Sequence, residues 1–313
     1  MPDPVPEVAP AARPSADGPP PADGPITDAH LHLWERAPGR FGWLEKAPPA
    51  LRRDARWSEA APGLAGLGVT RVVLVQAEDS LTQTRELEAA AAAIEADPST
   101  VRRADVVSWL PLEDPRALAR ILEDPLALPR TVGVRALVHD DPDPRILERP
   151  AVRRSLALVA AAGLALDVPD AFPRHLGQAT ALAQEVPGLT VVLDHLGKPP
   201  LGSAGDDGSL EEWERQLRGF AAAPGTVAKV SGLRTSGAGP RAGQLERMLD
   251  LALELFGPER LMIGSDWPIA PEPFTTGSAF APLVDLVRSR GGDVARPVLH
   301  GTAARVYRRR DEG

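Results

Sequence analysis

The 313-residue sequence contains no cysteine, which excludes disulfide bonds, zinc thiolate sites and a cysteine nucleophile. No apolar run reaches the roughly 18 residues that a membrane-spanning helix needs. Basic residues are outnumbered, with 35 Lys and Arg against 43 Asp and Glu and a formal net charge of -8. Proteins that bind the phosphate backbone of a nucleic acid present a basic face, so this balance argues against nucleic-acid binding. We expect a cytoplasmic protein that binds neither membranes nor nucleic acids and acts on a small molecule.

Glycine-rich phosphate loops are also absent, because the sequence has neither G-x-G-x-x-G nor G-x-x-x-x-G-K-[ST]. This weakens the case for a nucleotide-binding open sheet. The composition is typical of a globular protein with a substantial core, since 43% of the residues are hydrophobic and 25% are charged. A single domain of this length is larger than most, and the α/β barrel is a fold that commonly reaches it.

Composition divides the chain into three regions. Residues 1–25 are rich in Pro, Ala and Asp and have neither a basic start nor an apolar segment, so they predict a disordered leader rather than a signal peptide. Residues 26–308 carry the periodic apolar patterns of a folded domain, and residues 309–313 are predicted to be a short tail.

Short β-branched or apolar runs alternate with longer amphipathic runs across the folded region. The predicted strands are Ile26–His32, Arg71–Ala77, Ala104–Leu110, Thr131–Val138, Leu164–Val168, Thr190–His195, Thr226–Ser231 and Arg260–Asp266. The predicted helices are Ser58–Leu67, Thr82–Ala96, Pro115–Leu122, Ala151–Ala162, Arg174–Val186, Leu210–Ala222, Gln244–Phe256 and Ala279–Arg288. Such alternation predicts a parallel sheet with helices outside it. Eight units fit a single (β/α)8 TIM barrel, with a doubly wound open sheet as the alternative.

Chemically useful side chains collect at the predicted carboxyl ends of the strands, where a barrel binds its ligand. They are His30, His32, Gln76, Arg135, His139, Asp167, Asp194, His195, Lys229 and Asp266. Structural explanations exist for several of them: Asp167, Asp194 and Lys229 suit ion pairs inside a barrel. His139 suits a solvated loop, and Asp266 suits a helix N-cap. Because burying so many polar groups unpaired is costly, we favour a functional site.

The His-x-His pair in the first strand is central to this hypothesis. Side chains alternate along a strand, so Asp28, His30 and His32 are expected on one face. In a closed barrel the first and last strands are neighbours, which would bring Asp266 to the two histidines, with His195 facing them. Two interpretations stay open: His30, His32 and Asp266 hold one divalent metal ion, or Asp266 takes a proton from water while the imidazoles polarise a carbonyl.

Several motifs resemble those of the amidohydrolase superfamily. They are Asp28-Ala29-His30-Leu31-His32-Leu33-Trp34, Val75-Gln76-Ala77, Gly133-Val134-Arg135, Leu193-Asp194-His195-Leu196-Gly197-Lys198-Pro199, Lys229-Val230-Ser231-Gly232 and Phe256-Gly257-Pro258-Glu259-Arg260-Leu261-Met262-Ile263-Gly264-Ser265-Asp266-Trp267-Pro268. Within the superfamily the resemblance is to the sugar-lactonase branch, whose TIM barrels include L-fuconolactonase-like and 2-pyrone-4,6-dicarboxylate-lactonase-like proteins. It extends from about Ile26 to Tyr307.

The resemblance implies a hydrolase that opens a lactone, either a sugar-acid lactone or a related cyclic ester. Asp266 would be the general base and His195 a second catalytic residue, acting with His30 and His32 on the substrate carbonyl directly or through a metal. The cofactor implied is one divalent ion, Zn or Mn, with a metal-independent reaction as the alternative. The substrate-binding residues implied are Gln76, Arg135, His139, Asp167, Lys198 and Trp267.

The sequence departs from the two-metal members of the superfamily. The fifth strand offers Asp167 where they have a further histidine, and the fourth ends in Val138-His139 without a bridging Lys or Glu. We therefore expect a single metal or none. Two other hypotheses stay open: a metal-dependent decarboxylase or hydratase of the same superfamily that acts on a carboxylate substrate, and a barrel used only for binding.

Overall fold

The computed structural model describes residues 24–97, 101–124, 126–202, 207–269 and 275–312. Residues 1–23 of the predicted leader and residues 203–206 lie outside this part. The described chain contains one eight-stranded parallel sheet in the order β1 to β8. Its strands are β1 (Ile26–Leu31), β2 (Val69–Val75), β3 (Arg103–Ser108), β4 (Thr131–Arg135), β5 (Ala165–Val168), β6 (Val191–Leu193), β7 (Thr226–Val230) and β8 (Leu261–Ile263).

Hydrogen bonds just beyond the two outermost strands close the sheet into a barrel. The Asp266 amide donates to the carbonyl of His30 over 2.8 Å, and the His32 amide donates to the carbonyl of Trp267 over 2.9 Å. Leu31 and Trp267 form a parallel bridge between the same segments. The predicted (β/α)8 TIM barrel is therefore confirmed, and the open-sheet alternative is wrong for this chain.

Helices surround the barrel. The helices of the described residues are α1 (Trp57–Leu67), α2 (Leu81–Ala96), α3 (Pro115–Leu122), α4 (Pro150–Ala161), α5 (Leu176–Glu185), α6 (Ser209–Ala222), α7 (Gln244–Phe256), α8 (Thr276–Arg288), α9 (Gly292–Arg296) and α10 (Thr302–Val306). The eight predicted helices are confirmed, with ends that differ from the prediction by at most three residues. The two short helices α9 and α10 were not predicted, because five residues are too few to show a helical period.

Alternate residues of the strands enter two separate apolar layers, as the period of two in a strand requires. Val72 and Leu74 belong to the large cluster between sheet and helices, whereas Val73 and Val75 face the barrel interior. The interior layer also contains Val107, Val132, Ala165, Val192, Val227, Met262 and Tyr307. Bulky branched side chains thus pack together inside the barrel.

The C-terminal segment seals the amino-terminal end of the barrel. Tyr307 is fully buried in the interior layer, and its ring packs close to β4, because a Cβ on Gly133 would lie 3.4 Å from Tyr307 Cε1. Arg71 Nη2 binds Asp105 Oδ2 at 2.6 Å, and Arg309 Nε binds Asp105 Oδ1 at 2.7 Å. Arg309 therefore contacts the barrel although the sequence assigned it to a tail.

Strands β6 and β8 end two to three residues earlier than predicted, at Leu193 and Ile263. His195 and Asp266 follow them with φ values of 57° and 56°, a region that extended strands never use. The functional side chains at these positions are consequently presented by turns. Within the described residues, no helix combines the length and hydrophobicity needed to cross a membrane.

We predict that Arg71→Met lowers the free energy of unfolding by about 3 kcal/mol, because it leaves a buried carboxylate short of a partner. The exposed fraction of Asp105 is 0%, and Arg71 also donates to the carbonyl of Ala303 over 3.3 Å. Urea denaturation measures the change. The matched control is Arg215→Met, which removes an exposed Arg215–Glu212 pair and is expected to leave the stability almost unchanged. Equal losses in the two variants would contradict the structural role assigned to Arg71.

Candidate functional site

A cavity of about 260 Å³ opens at the carboxyl ends of the strands, the end at which barrels bind ligands. Six of the residues singled out from the sequence line it, namely His32, Arg135, His139, His195, Lys198 and Asp266. His30 lies directly beneath them and is fully buried. The predicted set therefore comes together in space, although its members are spread over most of the chain.

Three imidazoles surround one carboxylate at the floor of this cavity. The Nε2 atoms of His30, His32 and His195 lie 3.6, 3.4 and 3.7 Å from Asp266 Oδ1. The Nε2 atoms of His30 and His32 are 3.1 Å apart. The sequence prediction that ring closure brings His30, His32 and Asp266 to a common point is confirmed, and His195 joins them.

Hydrogen bonds at the other ring nitrogens orient the imidazoles. His32 Nδ1 lies 2.8 Å from the carbonyl oxygen of Val75, which can only accept, so His32 carries its proton on Nδ1 and turns an Nε2 lone pair to the cluster. His195 Nδ1 lies 2.8 Å from Ser231 Oγ. His30 Nδ1 lies 3.3 Å from Asp194 Oδ1. Each ring is thus held at Nδ1 and presents Nε2 to Asp266.

The donor set fits one divalent metal ion. The Nε2 lone pair of His32 lies close to both His30 Nε2 and the Asp266 carboxylate. Electron-rich atoms at these distances repel one another unless a proton or a cation lies among them. His30, His195 and Asp266 offer ligand atoms that all lie within 4.8 Å of one another. Ligands bound about 2.1 Å from zinc in a tetrahedron are roughly 3.4 Å apart, which matches the spacing here. Imidazole nitrogens held by partners at Nδ1 are also typical of metal-binding histidines.

Two glycines allow the strand ends to pack this tightly. A Cβ on Gly232 would lie 2.5 Å from His195 Nδ1 and 2.7 Å from Asp266 Oδ2. A Cβ on Gly264 would lie 2.5 Å from His30 Cβ. Both contacts are far too short for a real methyl group, so these positions need glycine for the imidazoles and the carboxylate to converge.

Left-handed backbone conformations concentrate around the cavity. Among the described residues, Asp170, His195, Leu196, Lys198 and Asp266 are non-glycine residues with φ values between 42° and 67°. Such conformations cost of order 1–3 kcal/mol each and persist where the surrounding structure enforces them. They turn His195, Lys198 and Asp266 into the cavity at the expense of local backbone stability.

Burial and neighbouring groups set the protonation states. Burial by itself would raise the pKa of Asp266, but the surrounding imidazoles, His195 first, lower that pKa overall. Burial also lowers the pKa of His195, and it lowers the pKa of His30 well below its ordinary value. At neutral pH the site therefore holds an ionised Asp266 carboxylate beside the uncharged imidazoles of His30 and His195, and an ionised carboxylate is the state a general base requires.

A second layer of charged side chains lies below the imidazoles. Lys229 Nζ binds Asp167 Oδ2 at 2.6 Å and Asp194 Oδ1 at 3.0 Å. Arg135 binds Asp194 Oδ2 at 2.8 Å and lies 3.1 Å from His30 Nε2. The structural explanation of Asp167, Asp194 and Lys229 as ion pairs inside the barrel agrees with this arrangement.

Three residues predicted to bind substrate do not reach the cavity. Gln76 is fully buried, and its Nε2 donates to the carbonyl of Arg135 over 3.2 Å. Asp167 is held in the interior layer by Lys229 and Tyr307. Trp267 is 1% exposed and packs in the outer apolar cluster, with the Arg53 guanidinium 5.9 Å from its ring.

Sequence reasoning missed three cavity residues, Trp43, Asp140 and Asp170. Trp43 comes from the long connection between β1 and α1, and its indole nitrogen donates to the carbonyl of Ala77 over 2.8 Å. In the sequence, only the unusual length of that connection could have indicated that Trp43 reaches the cavity. Asp170 belongs to the short segment that follows β5.

Comparisons with known proteins agree with the geometry. The family model described as amidohydrolase matches residues 27–309. The L-fucono-1,5-lactonase of Burkholderia ambifaria is 32% identical to this chain over 289 residues, which are 90% of this chain and 94% of the relative.

Solved structures of other proteins share the fold of this chain. An amidohydrolase from Burkholderia multivorans with bound zinc superposes with a TM-score of 0.77 and 28% identity, over 91% of this chain and 99% of the other. The 5-carboxyvanillate decarboxylase of Sphingomonas paucimobilis superposes with a TM-score of 0.60 over 90% of this chain and 98% of the other. Its identity of 18% shows a shared fold only.

We predict that Asp28→Asn stabilises the protein by a margin that grows as the pH rises. Asp28 Oδ1 accepts the amides of His30 and Ser265 at 3.2 and 2.8 Å, which an asparagine oxygen can also do. Burial raises the pKa of Asp28 from 3.8 to about 6, so the folded protein binds this proton more tightly than the unfolded chain. The stability due to Asp28 is therefore complete below pH 3.8 and is lost as the pH rises to about 6.

Urea denaturation of both proteins at about pH 4 and about pH 7 measures this margin, which is expected to increase by about 2 kcal/mol. Asp293→Asn, at a fully exposed position, serves as the control and should show no such pH dependence. A margin for Asp28→Asn that is the same at both pH values would contradict the prediction.

Proposed function

Because this chain belongs to the amidohydrolase family, we propose that it is a hydrolase that opens a lactone by attack of water. The observation that carries the proposal is the convergence of three imidazoles and the Asp266 carboxylate at the floor of a cavity. The relative with 32% identity, an L-fucono-1,5-lactonase, supports a sugar-acid lactone as the substrate class. A place in carbohydrate metabolism in the cytoplasm is part of the same proposal.

The cavity suits a small polyhydroxylated ring. Its volume of about 260 Å³ is close to the lower limit of ligand pockets, so it favours one ring over an extended molecule. Trp43 supplies an apolar surface, and Asp140, Asp170 and Lys198 supply acceptors and a donor around the mouth. Carboxylates at the mouth favour the hydroxyl groups of a neutral lactone over the charges of a dicarboxylate.

Asp266 is the proposed general base. Its ionised carboxylate removes a proton from water, and the oxygen of that water forms a bond to the lactone carbonyl carbon. The carbonyl becomes a tetrahedral oxyanion, which then collapses with cleavage of the ring C–O bond. Asp266 returns its proton to the departing alkoxide, and the product is the open hydroxy acid. General acid–base catalysis of this type contributes about 10²- to 10⁴-fold to a rate.

Preorganised donors stabilise the developing oxyanion. Arg135 lines the cavity, so its guanidinium can approach a substrate oxygen there. Lys198 Nζ is 2.8 Å from Thr235 Oγ1 and reaches the same cavity. We assign Arg135 and Lys198 to the substrate oxygens, and His30, His32 and His195 to the polarisation of the carbonyl.

A single divalent ion would be held by His30, His32, His195 and Asp266. When bound, such an ion supplies Lewis-acid polarisation of the carbonyl and a lower pKa of bound water. The zinc-bound amidohydrolase from Burkholderia multivorans supports zinc as the metal. The relatives favour lactone opening over the decarboxylase and hydratase reactions, which would act on the same site geometry.

We predict that Asp266→Asn lowers kcat for the best lactone by at least about 10³-fold while the protein stays folded. Asparagine tolerates the left-handed backbone at this position as well as aspartate does, so the loss reports the carboxylate rather than the turn. Release of acid from a panel of aldonolactones and aromatic lactones measures the rate. Asp293→Asn, at a fully exposed position that does not line the cavity, is the control and should keep kcat within about threefold, as surface changes do. A variant at position 266 with near-normal activity would exclude the general-base role.

Removal of metal gives a second prediction. Dialysis against a chelator is expected to lower lactonase activity, because it removes the positive charge that the four ligand groups share. Added Zn²⁺ or Mn²⁺ should restore the activity. Metal content and activity of the same samples are measured together. Full activity in a sample free of metal would show that the imidazoles and Arg135 suffice. Carbon dioxide release from carboxylate substrates in place of lactone opening would favour the decarboxylase.

A further inference from the structure

The connection between β1 and α1 places a tryptophan at the mouth of the catalytic cavity. Trp43 is half-buried and lines this cavity, whereas the neighbouring Trp34 is only 3% exposed. The two rings meet edge to face, with centroids 5.5 Å apart and planes at 81°. One part of the Trp43 ring system therefore packs on the apolar core, and the rest faces the cavity.

The indole of Trp43 can offer a ligand only apolar contact. Its nitrogen donates its single hydrogen to the carbonyl of Ala77 over 2.8 Å, so no hydrogen bond is left for a ligand. Asp140, Asp170 and Lys198 supply hydrogen-bonding groups around the same cavity. A lactone ring that carries hydroxyl groups also carries C–H groups, and this apolar surface packs well on an aromatic side chain. Trp43 therefore suits the C–H groups of such a ring, which polar side chains do not bind.

Glu78, in the turn between β2 and α2, anchors the segment that carries Trp43. Its Oε2 accepts Arg40 Nε over 2.9 Å and Arg40 Nη2 over 2.7 Å, and its Oε1 accepts the Phe41 amide over 2.8 Å. Ser80 Oγ also donates to Glu78 Oε2 over 2.9 Å. One carboxylate therefore fixes both a side chain and a backbone amide just before Trp43.

This anchor acts on the path of the chain more than on global stability. The Arg40 and Glu78 side chains are both partly exposed, and ion pairs near the surface contribute little to the free energy of unfolding. Phe41 has a left-handed φ of 50°, which is costly for a bulky residue and persists where neighbouring groups enforce it. The hydrogen bond to its amide holds Phe41 in this conformation and so fixes the direction in which the chain leads to Trp43. Because the ring is placed before a ligand arrives, binding does not have to order it.

We propose that Trp43 is a specificity-determining residue that packs on the C–H groups of the lactone ring, and that Arg40 and Glu78 are positioning residues that hold it there. The inference rests on the proposed function for the identity of the ligand. It goes beyond that function because it favours one class of lactone, a single ring with an apolar face. It also assigns a role to two residues that do not line the cavity.

The test is Trp43→Leu, which keeps an apolar side chain against Trp34 but has no aromatic ring. KM for the best lactone should rise about fivefold while kcat stays within about twofold, because the lost contact is equally strong in the ground state and the transition state. Trp43→Phe keeps an aromatic ring, so its KM should stay within about twofold of the wild-type value. Trp109→Leu, at a half-buried tryptophan that does not line this cavity, is the matched control and should leave KM unchanged. An unchanged KM in Trp43→Leu, a loss confined to kcat, or an equal rise in Trp109→Leu would overturn the proposal.

A double-mutant comparison shows whether Arg40 acts through Trp43. Arg40→Met should raise KM about threefold in the wild-type background and leave KM unchanged when position 43 is already leucine, because no aromatic ring remains to be positioned. Arg36→Met is the matched control, since Arg36 belongs to the same connection but donates to the carbonyl of Arg52 over 2.7 Å. Hydrogen exchange of the amides of residues 40–46 should accelerate in Arg40→Met and not in Arg36→Met. KM increases that multiply, or unchanged exchange in Arg40→Met, would overturn the positioning role.

Binding of unreactive rings provides a readout that needs no turnover. The probes are a panel of aldopyranoses, cyclic sugars that present ring C–H groups but contain no ester to open. Saturation-transfer NMR should show their ring protons in contact with the wild-type protein, with a much weaker signal in Trp43→Leu and an unchanged one in Trp109→Leu, after thermal unfolding has verified that each variant is folded. No transfer to any sugar in the wild-type protein, or equal transfer in Trp43→Leu, would overturn the proposal. If the wild-type protein opens no lactone but the transfer still depends on Trp43, the proposed reaction fails and the role of Trp43 stands.

Discussion

The buried ion network of Arg135, Asp167, Asp194 and Lys229 is the constraint on which the site depends. Isolated charges in a protein interior cost several kcal/mol each, and only mutual pairing with good geometry offsets that cost. Here the buried side chains of Arg135 and Lys229 form ion pairs with the two carboxylates, with N–O distances of 3.0 Å or less. None of the four can move without leaving a partner unpaired. The network therefore supports the imidazoles above it in fixed positions. Such preorganisation is what oxyanion stabilisation requires.

Much of this architecture follows from the sequence. Alternating strand and helix patterns predict the barrel, and closure of a barrel makes its first and last strands neighbours. That topological consequence placed Asp266 beside His30 and His32, although they are more than two hundred positions apart. The group of polar side chains at the strand ends could also be recognised, because His, Arg, Lys and Asp side chains rarely follow buried apolar runs without a partner.

Other features lie beyond what periodicity can predict. Alternation separates Val72 and Leu74 from Val73 and Val75, but both faces of a barrel strand are buried, so alternation does not tell which face points inward. The turns at His195 and Asp266 depend on left-handed conformations that residue type alone seldom indicates. Trp43 enters the cavity from a connection whose path is set by tertiary contacts such as its hydrogen bond to Ala77.

The distribution of charge around the cavity bears on what it can bind. Arg135 and Lys229 are both paired with Asp194 below the imidazoles, and Lys198 lies 3.8 Å from Asp170 at the mouth. Little positive charge is left uncompensated for a substrate that is already anionic. An oxyanion that forms only during the reaction is different, because it develops at the floor of the cavity, next to the imidazoles and the Arg135 guanidinium. This distribution of charge therefore favours a neutral substrate that becomes negatively charged in the transition state. A lactone attacked by water is such a substrate.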